Sequence, residues 1–379
     1  MYKGKHIKTA KKNRAALAQI LVFLIFLGTL LVLHLALPDK TLSGRESLQT
    51  LPRFSFSALF SGRFTTQAEA YVNDQFPFRD AWITLKARSE LLTGKDENNG
   101  IYLCSGETLI EPYTAPAEAS ISGNVSAFNT LAENAGIPVF FALIPTAAEI
   151  WSDLLPEGAP NDSQLATIEQ AYSAFSGKTA DICSALASHR DEPIYYRTDH
   201  HWTTLGAYYG YTALAEAMGF SPEDLSSYRQ NVVTEEFYGT TWSSSGFSWV
   251  APDSISAYVE QGEAVITTFP QGAPVEGTLY DQSSLETVDK YAYFYGGNTP
   301  LLTIRTGNAG PKLLILRDSY MDCLSPFLFP HFSEIHILDL RYYKSSLRSY
   351  LEQQNFDQLL VCYSVKNFAE DTNLFLAAN

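Results

Sequence analysis

Two short polar stretches of this chain carry the residue types that nucleophilic catalysis needs. The first, YYRTDHHWTTLGAYY, spans residues 195–209 and places Asp199 two positions before His201. A carboxylate beside an imidazole fixes the tautomer of the ring and stabilises the imidazolium that forms when the ring accepts a proton. The second stretch, RDSY, contains Ser319 directly after the apolar run KLLIL. Together they predict a serine nucleophile whose proton passes to a histidine that an aspartate orients.

The same residues also admit structural interpretations. Ser319 or Asp318 could cap the helix that follows, because short polar side chains accept hydrogen bonds from the first free N–H groups of a helix. His200 is expected to face away from Asp199 and His201 in an extended segment, and to be a buried histidine with satisfied hydrogen bonds. For Ser319, capping and catalysis both remain open at this point.

A metal site is the third interpretation of the paired histidines. It would need three or four converging ligands, and no spacing of the H-E-x-x-H kind occurs in the chain. The residues that it would recruit are Asp199, His200, His201, His331 and His336. The missing spacing disfavours this interpretation, and we predict neither a metal nor another cofactor.

The predicted elements place both stretches at the carboxyl ends of strands. EPIYY is predicted to be a strand that runs into the TDHHW loop, and the next helix begins near Thr203. PKLLILRDSYMDC is predicted to be a strand, a turn and a helix. Residues i and i+2 of an extended segment face the same side, which would bring Asp199 and His201 together. In open α/β sheets the active crevice lies at the carboxyl ends of the strands, so we expect His201 and Ser319 to meet there.

Alternating strands and helices predict an α/β fold. The runs IPVFFALIPT, KLLIL, EIHILDL and DQLLVCYSV are strongly apolar, as expected of strands buried on both faces of a parallel sheet. Helical segments separate them, which indicates a parallel sheet flanked by helices. Residues from about 228 to 300 are rich in Ser, Gly, Thr and aromatic residues, and we expect an insertion of short strands and loops there.

The N-terminal segment divides into a basic and an apolar part. Residues 1–14 carry six Lys or Arg and no acid, and the 23 residues 15–37 carry no formal charge. A helix of that length, at about 1.5 Å per residue, spans the roughly 30 Å hydrocarbon core of a bilayer. Basic residues before such a span hold the N-terminus in the cytoplasm, so we expect a signal anchor with everything after Pro38 extracytoplasmic. A cleaved signal peptide is the alternative.

Domain boundaries and composition limit the function further. We predict a stalk and helical lead-in over residues 38–95, with NDQFPFRD as a helix–helix corner, and a catalytic domain over residues 96–379. The formal net charge of −15 argues against nucleic acid as a partner. The four cysteines form no C-x-x-C pair. Cys183 and Cys362 are expected to be buried free thiols, with a disulfide outside the cell as the alternative.

Several of these stretches together resemble one known family. The segments RTDHHWTTLGAYY, DQFPFRD, FFALIPTAAEI, FYGGN, RDSY, SPFL and LDLRYY resemble the DHHW protein family of Gram-positive bacteria, from about Arg53 to the C-terminus. That family is similar to the SGNH-like enzymes of alginate O-acetylation, in which an Asp-x-His motif precedes the nucleophilic serine. The resemblance implies a triad of Ser319, His201 and Asp199 on an SGNH-hydrolase-like sheet. Arg317 stands where a glycine usually precedes Asp-Ser.

Further candidate residues lie around the expected triad. SGNH enzymes use a Gly and an Asn from separate loops as oxyanion donors, which makes Gly297 and Asn298 of YGGN candidates; an ordinary turn is the alternative. Arg317 and Arg341 could hold an anionic sugar or form salt bridges with nearby aspartates. Trp242 could stack on a sugar ring or belong to the core of the insertion.

The resemblance implies a membrane-anchored, extracytoplasmic SGNH-like O-acyltransferase. The expected acyl group is acetyl, the expected acceptor is a cell-surface or secreted polysaccharide, and a polytopic membrane O-acyltransferase is expected to supply the acetyl group. An esterase with the same triad would differ only in admitting water as the acceptor. A non-catalytic polysaccharide-binding or assembly component is the third hypothesis, and its binding would survive the loss of Ser319.

Overall fold

The computed structural model describes residues 4–43, 46–259, 264–269 and 272–378. The chain forms two compact units, Met1–Arg88 and Ser89–Asn379. The helices are α1 Gly4–Ala36, α2 Phe56–Phe60, α3 Arg63–Asp74, α4 Arg79–Leu92, α5 Glu118–Ala135, α6 Ala147–Ile150, α7 Gln164–Ala174, α8 Ile182–Ser188, α9 Thr204–Met218, α10 Thr240–Ser245, α11 Met321–Leu324, α12 Leu347–Gln353 and α13 Val365–Glu370. The strands are β1 Leu42–Ser43, β2 Glu46–Ser47, β3 Glu97–Asn98, β4 Ile101–Cys104, β5 Thr108–Ile110, β6 Val139–Ile144, β7 Lys178–Ala180, β8 Arg229–Phe237, β9 Asp253–Val259, β10 Val265–Thr268, β11 Val275–Glu276, β12 Leu301–Arg305, β13 Lys312–Arg317, β14 Glu334–Leu338 and β15 Gln358–Ser364.

The first unit begins with α1, of which the segment Arg14–Ala36 is long and apolar enough to cross a membrane. Its length and composition would also suit a signal sequence. The region expected to be a stalk contains the hairpin β1–β2 and the short helix α2. Ser55 caps α2 by accepting a hydrogen bond from the Ala58 N–H at 3.1 Å, a local signal that the stalk interpretation overlooked. The helices α3 and α4 then meet at a corner that contains Pro77.

The second unit is built on an eight-stranded sheet in the order β11-β10-β12-β14-β13-β15-β6-β7. The strands from β14 to β7 in this order pair in parallel, as predicted. The strands β12, β10 and β11 continue the predicted parallel sheet with antiparallel pairing, so the complete sheet is mixed. Antiparallel neighbours need no crossover helix. The strands β10 and β11 of the predicted insertion can therefore extend the sheet without an intervening helix.

The central strands form the rigid base of the fold. Every residue of β6 is buried, and so is every residue of β13 after Lys312. Strands buried on both faces require continuous apolar runs, which is why the sequence pattern located them. The last residue of β13, Arg317, pairs with Cys362 of β15. The turn that contains Ser319 therefore leaves the sheet at the carboxyl end of its central strands.

The segment between α8 and α9 differs from its prediction. EPIYY is not a strand; the chain folds back on itself, and Tyr195 and Trp202 form an isolated antiparallel bridge. The Thr203 N–H donates a hydrogen bond to the Ile194 carbonyl at 2.9 Å and closes the loop. A Cβ on Gly206 would lie 2.3 Å from the same carbonyl oxygen, so α9 can approach the loop this closely only with glycine there. A closed loop, instead of a strand end, carries the two histidines.

Candidate active site

Side chains from two distant loops form one hydrogen-bonded line. The Nε2 atom of His201 lies 2.8 Å from the Oγ of Ser319, and its Nδ1 atom lies 2.6 Å from the Oδ1 of Asp199. Asp199 and His201 are buried, whereas Ser319 is partly exposed. These distances allow Ser319 to donate to the imidazole while the ring N–H donates to the carboxylate. The arrangement can take a proton from a serine hydroxyl.

A turn, and not an extended strand, brings Asp199 and His201 together. The Oδ1 of Asp199 accepts a hydrogen bond from the backbone N–H of His201 at 3.0 Å as well as from its ring. The Oδ2 accepts from the backbone N–H of Thr240 at 2.7 Å and from its hydroxyl at 3.1 Å. A Cβ on Gly239 would lie 2.2 Å from the Asp199 Cβ, so the insertion can approach this carboxylate only with glycine there. The two side chains pair, but through a geometry that the sequence did not predict.

The Asp199 carboxylate is held in its ionised form. Burial by itself would raise its pKa, but the neighbouring His200 and His201, together with hydrogen bonds from His201 and from the Thr240 N–H, hold that pKa well below its usual range. An ionised carboxylate keeps the proton on Nδ1 of His201. The Nε2 atom is then free to accept the hydroxyl proton.

His200 is partly exposed, contrary to the prediction of a buried histidine, with 34% of its side chain accessible. Its Nδ1 atom lies 2.6 Å from the Thr240 Oγ1. Potential ligand atoms of Asp199, His200 and His201 lie within 4.8 Å of one another, as a metal site would require. The 2.6 Å contact between the His201 Nδ1 and the Asp199 Oδ1 is a hydrogen bond, with a proton between the two atoms. These two atoms could bind the same metal ion only if the proton left and the side chains moved apart. The geometry favours proton transfer over metal binding.

The other two histidines considered for a metal site have partners of their own. The Nε2 of His331 lies 2.7 Å from the Tyr211 hydroxyl, and the Nε2 of His336 lies 2.6 Å from a Glu334 carboxylate oxygen. Neither histidine belongs to the cluster around Asp199.

Asp318 anchors the turn that presents Ser319. Its fully buried carboxylate accepts hydrogen bonds from the Tyr320 N–H at 3.0 Å, from the Ser364 N–H at 2.8 Å and hydroxyl at 2.7 Å, and from the Asn367 amide at 2.8 Å. Asp318 therefore fixes the backbone of the turn and ties the end of β13 to the end of β15, whereas α11 has Tyr320 as its N-cap and no side-chain cap, so neither Ser319 nor Asp318 caps it. The hydroxyl of Ser319 is left for its contact with the imidazole.

Three aromatic residues that the sequence analysis did not single out hold the two loops together. The Trp202 Nε1 donates to the Tyr320 carbonyl at 2.9 Å, and the Tyr320 hydroxyl donates to the His200 carbonyl. The ring of Tyr291, from the insertion, is stacked on the His201 ring. Trp202 and Tyr320 directly follow the polar residues of DHHW and RDSY, and that adjacency could have identified them. Tyr291 has no such local signal.

The candidate oxyanion donors are the Ser319 N–H, which follows Arg317 in the sequence, and Gly297 and Asn298, which precede it. The Ser319 N–H has no acceptor among the described residues and is available to a developing negative charge. Gly297 and Asn298 belong to a turn with left-handed φ angles of 62° at Tyr295 and 94° at Gly297. The Oδ1 of Asn298 accepts a hydrogen bond from Arg317 at 3.0 Å. The turn thus lies next to the residue at the end of β13.

Arg317 does not fit the predicted role of holding a sugar. Only 1% of its side chain is exposed, and its guanidinium lies 3.1 Å from Asp322 and 4.0 Å from Asp339. Moving it to a ligand would leave buried carboxylates unpaired, which is costly. Arg341 forms a two-point ion pair with Asp339, with contacts of 2.9 Å and 2.7 Å. Both arginines therefore form the salt bridges that were the alternative in the sequence analysis.

Trp242 lies on α10, close in sequence to Thr240. Its ring packs against Tyr238 with centroids 4.5 Å apart, and its Nε1 is buried without a hydrogen-bond partner among the described residues. In this structure Trp242 therefore packs against another side chain of the protein.

A cleft of about 390 Å³ borders the triad. Asp199, His200 and Tyr320 form part of its wall, while Ser319 itself is not among the lining residues. The rest of the wall combines the apolar residues Leu109, Ile110, Ala147 and Ala148 with the polar residues Glu111, Thr146, Thr240, Thr241, Ser244, Ser364, Lys366, Asn367 and Glu370. Convergent hydroxyl, amide and charged groups suit a ligand that carries many hydroxyls.

The fold is an α/β fold of the SGNH-like kind. Residues 117–338 match the family model described as DHHW protein, and the chain belongs to this family. The resemblance seen in its motifs is thereby confirmed. A DHHW family protein from Eubacterium siraeum has a similar structure, with a TM-score of 0.65, 25% sequence identity and coverage of 75% of this chain and 96% of that one.

Two further relatives extend the comparison. Bacillus cereus PatB1, solved with a sulfonyl adduct, has a TM-score of 0.62 and 20% identity over 74% of this chain and 98% of its own, which shows a shared fold. A curated relative, the probable alginate O-acetylase AlgJ of Pseudomonas syringae pv. tomato, is 26% identical over 204 residues. That match covers 50% of this chain and 49% of the relative, so the chain spans about half the length of the curated protein that it matches.

Proposed function

We propose that this protein is a membrane-anchored, extracytoplasmic O-acyltransferase that moves acetyl groups to the hydroxyls of a polysaccharide. The observation that carries the proposal is the unbroken hydrogen-bonded line from Asp199 through His201 to the partly exposed Ser319. The name of the curated relative, an alginate O-acetylase, supports acetyl as the group and a polysaccharide as the acceptor. The apolar segment Arg14–Ala36 supports the anchor.

The first half of the reaction would load the enzyme. The Nε2 of His201 takes the hydroxyl proton as the Oγ of Ser319 forms a bond to the acetyl carbonyl carbon. The resulting oxyanion is stabilised by the Ser319 N–H, with Gly297 and Asn298 as candidates for additional donors. The bond to the donor oxygen then breaks, and the imidazolium returns its proton to that leaving group. The ionised Asp199 stabilises the imidazolium throughout.

The second half of the reaction would unload the acetyl group onto a sugar. An acceptor hydroxyl gives its proton to the Nε2 of His201, and its oxygen attacks the acetyl-serine carbonyl. Collapse of the second tetrahedral intermediate releases Ser319, which regains the proton. The hydroxyl, amide and charged groups in the cleft beside Tyr320 support a carbohydrate acceptor. A polytopic membrane O-acyltransferase is the proposed source of the acetyl group.

The chemistry can be tested with a chain that lacks residues 1–40 and an activated aryl acetate as donor. We expect a burst of released phenol and an acetyl adduct of about 42 Da on Ser319, as acyl-enzyme chemistry requires. Ser319→Ala should abolish both signals, and Ser173→Ala, at an exposed serine far from the triad in sequence, should leave both unchanged. A burst that persists in Ser319→Ala would overturn the proposed nucleophile.

The acceptor decides between a transferase and an esterase. Adding polysaccharide fragments to the acetyl-enzyme should produce acetylated sugar faster than free acetate if the protein is a transferase. Release of acetate alone, at a rate that no glycan changes, would identify an esterase. Glycan binding without any acetyl adduct would support the non-catalytic hypothesis.

A further inference from the structure

We propose that the helices α2 to α4 form a lipid-binding surface that rests on the bilayer where the α1 span ends. We call it the juxtamembrane apolar surface. It consists of exposed aromatic side chains on these helices and on the corner between α3 and α4, namely Phe56, Phe60, Phe76, Phe78 and Trp82. Its occupant is the interface of the membrane that α1 is suited to cross.

Hydrogen bonds hold α3 against the end of α1. The apolar segment of α1 ends at Ala36, and His34, two residues from that end, lies 3.1 Å from the Gln75 carbonyl oxygen. The Tyr71 hydroxyl donates to Asp39 at 2.9 Å, and the backbone N–H of Lys40 donates to the Gln75 side chain at 2.9 Å. If α1 crosses a membrane, these contacts place the end of α3 at the level where the chain leaves the hydrocarbon. The corner that follows Gln75 must begin at the same level.

Large aromatic side chains are exposed on α2 and on the corner that follows Gln75. Phe56 and Phe60 of α2 are 71% and 86% exposed, and Phe78 of the corner is 59% exposed. Phe78 also has a φ angle of 61°, a left-handed conformation that is costly for a bulky residue. Such strain persists only where the surroundings impose it and often accompanies function. In this chain the strained residue, Phe78, carries an exposed phenyl ring.

The type and position of these residues match those of membrane interfaces. Aromatic side chains are enriched at the boundary between hydrocarbon and water, where Trp is favoured because its ring is apolar and its N–H is polar. The Nε1 of Trp82 donates to the Pro77 carbonyl at 3.1 Å, so its polar group is satisfied within the corner while 41% of the residue stays exposed. Its ring can enter the interface without an unpaired donor.

Charge separates this region from the rest of the chain. Residues 38–88 contain seven basic and five acidic residues, whereas residues 89–379 contain 13 basic and 36 acidic ones. Phosphate headgroups and anionic lipids attract a basic surface and repel an acidic one. Residues 38–88, which follow the apolar span, therefore suit a lipid surface better than residues 89–379 do. This charge distribution favours a bilayer as the occupant over a basic protein partner.

Quenching by lipid tests the proposal on the full chain. The chain is reconstituted into vesicles of phosphatidylcholine and phosphatidylglycerol with brominated acyl chains, and its tryptophan fluorescence is compared with that in unbrominated vesicles. Five tryptophans are present, and Trp82 is the one in residues 38–88. We expect Trp82→Phe to remove most of the bromine-sensitive fluorescence and Trp249→Phe to preserve it. Equal quenching in both variants, or none in the wild-type protein, would overturn the proposal.

A second pair of variants tests the surface without removing the probe. Phe60→Ser combined with Phe78→Ser should reduce the quenching of Trp82 at least twofold, whereas Phe375→Ser, at a 58% exposed phenylalanine of the second unit, should leave it unchanged. Labelling of Ser319 by a sulfonyl fluoride in each variant verifies that the second unit is folded. If Trp82 is unquenched in these vesicles but shielded from water-soluble iodide in native membranes, a protein covers the surface and the lipid proposal fails.

Discussion

The rings of His201 and Tyr291 are stacked, with centroids 3.9 Å apart and planes inclined by 10°. The Tyr291 hydroxyl lies 3.4 Å from the carbonyl oxygen of Ser319 and 3.3 Å from the Cys323 sulfur. One buried side chain of the insertion thus touches both the imidazole and the backbone of the serine. Thr240, which bonds Asp199, comes from the same insertion. The insertion completes the walls of the site.

The stacking makes Tyr291 a positioning residue whose loss should slow acylation. Tyr291→Phe keeps the ring and should change the burst rate by less than about tenfold. Tyr291→Leu removes the flat surface against His201, and a displacement of the ring by about 1 Å can cost roughly 100-fold. Stopped-flow measurement of the burst should show this loss in the rate constant and not in the donor concentration at half-saturation. Equal rates for Phe and Leu, with both chains folded, would contradict the role.

Adjacent histidines should respond differently to substitution. His201→Ala removes the proton acceptor and should abolish the burst, and Asp199→Asn should slow it by about 10³- to 10⁴-fold because the tautomer is no longer fixed. His200→Ala is the comparison variant, because the His200 ring borders Asp199 and Thr240 but lies outside the line to Ser319. It should cost far less. Comparable losses at both histidines, restored by an added divalent metal ion, would favour a metal site instead.

Asp322 should make stability depend on pH in an unusual direction. Burial raises its pKa from 3.8 to about 7, although the Arg317 guanidinium acts to lower it. Between these two values the folded chain holds a proton that the unfolded chain releases. The contribution of Asp322 to the free energy of unfolding therefore falls by about 1.4 kcal/mol for each pH unit between about pH 4 and pH 7. Above about pH 7 this contribution is constant.

The measurement is urea unfolding at pH 5 and pH 8 of the chain lacking residues 1–40. Asp322→Asn should lose less stability between the two pH values than the wild-type protein does. Asp191→Asn, at an exposed aspartate, should behave as the wild type. If the wild-type protein and Asp322→Asn were both more stable at pH 8 than at pH 5, and by the same amount, Asp322 would not titrate in this pH range.

All four cysteines should be unreactive in the folded chain. Cys104, Cys183, Cys323 and Cys362 are buried free thiols in the structure. Burial raises the pKa of Cys104 and Cys183 to about 11 and that of Cys323 to about 12, which suppresses the reactive thiolate. Titration with a disulfide reagent should detect no thiol in the native chain and four after denaturation without reductant. Detection of only two after denaturation would reveal a disulfide.

Local sequence was sufficient for several parts of the fold. The apolar runs around Phe141, Ile315 and Val361 form the buried strands β6, β13 and β15, because a strand covered on both faces needs apolar residues at every position. The Asp-x-His spacing and the serine after β13 were also readable. Each of these features depends on neighbouring residues only, as does the apolar span of α1.

The remaining features depend on contacts between distant segments. The antiparallel part of the sheet comes from β10, β11 and β12, short strands of mixed polarity whose sequences do not specify a partner. The burial of Arg317 depends on Asp322 and Asp339, one of which lies on another loop. No local pattern indicates that Tyr291 stacks on His201, since the two residues are 90 positions apart.

The sequence by itself determined the types of chemical groups, their local order and the strand that ends beside Ser319. Only the tertiary structure decided that His201 and Ser319, 118 residues apart, come within 2.8 Å of each other, and that His200 does not join them. The physical reason is that a hydrogen bond requires an ångström-scale distance and a direction. For residues far apart in the chain, both are set by the packing of the loops onto the sheet, which no short segment encodes.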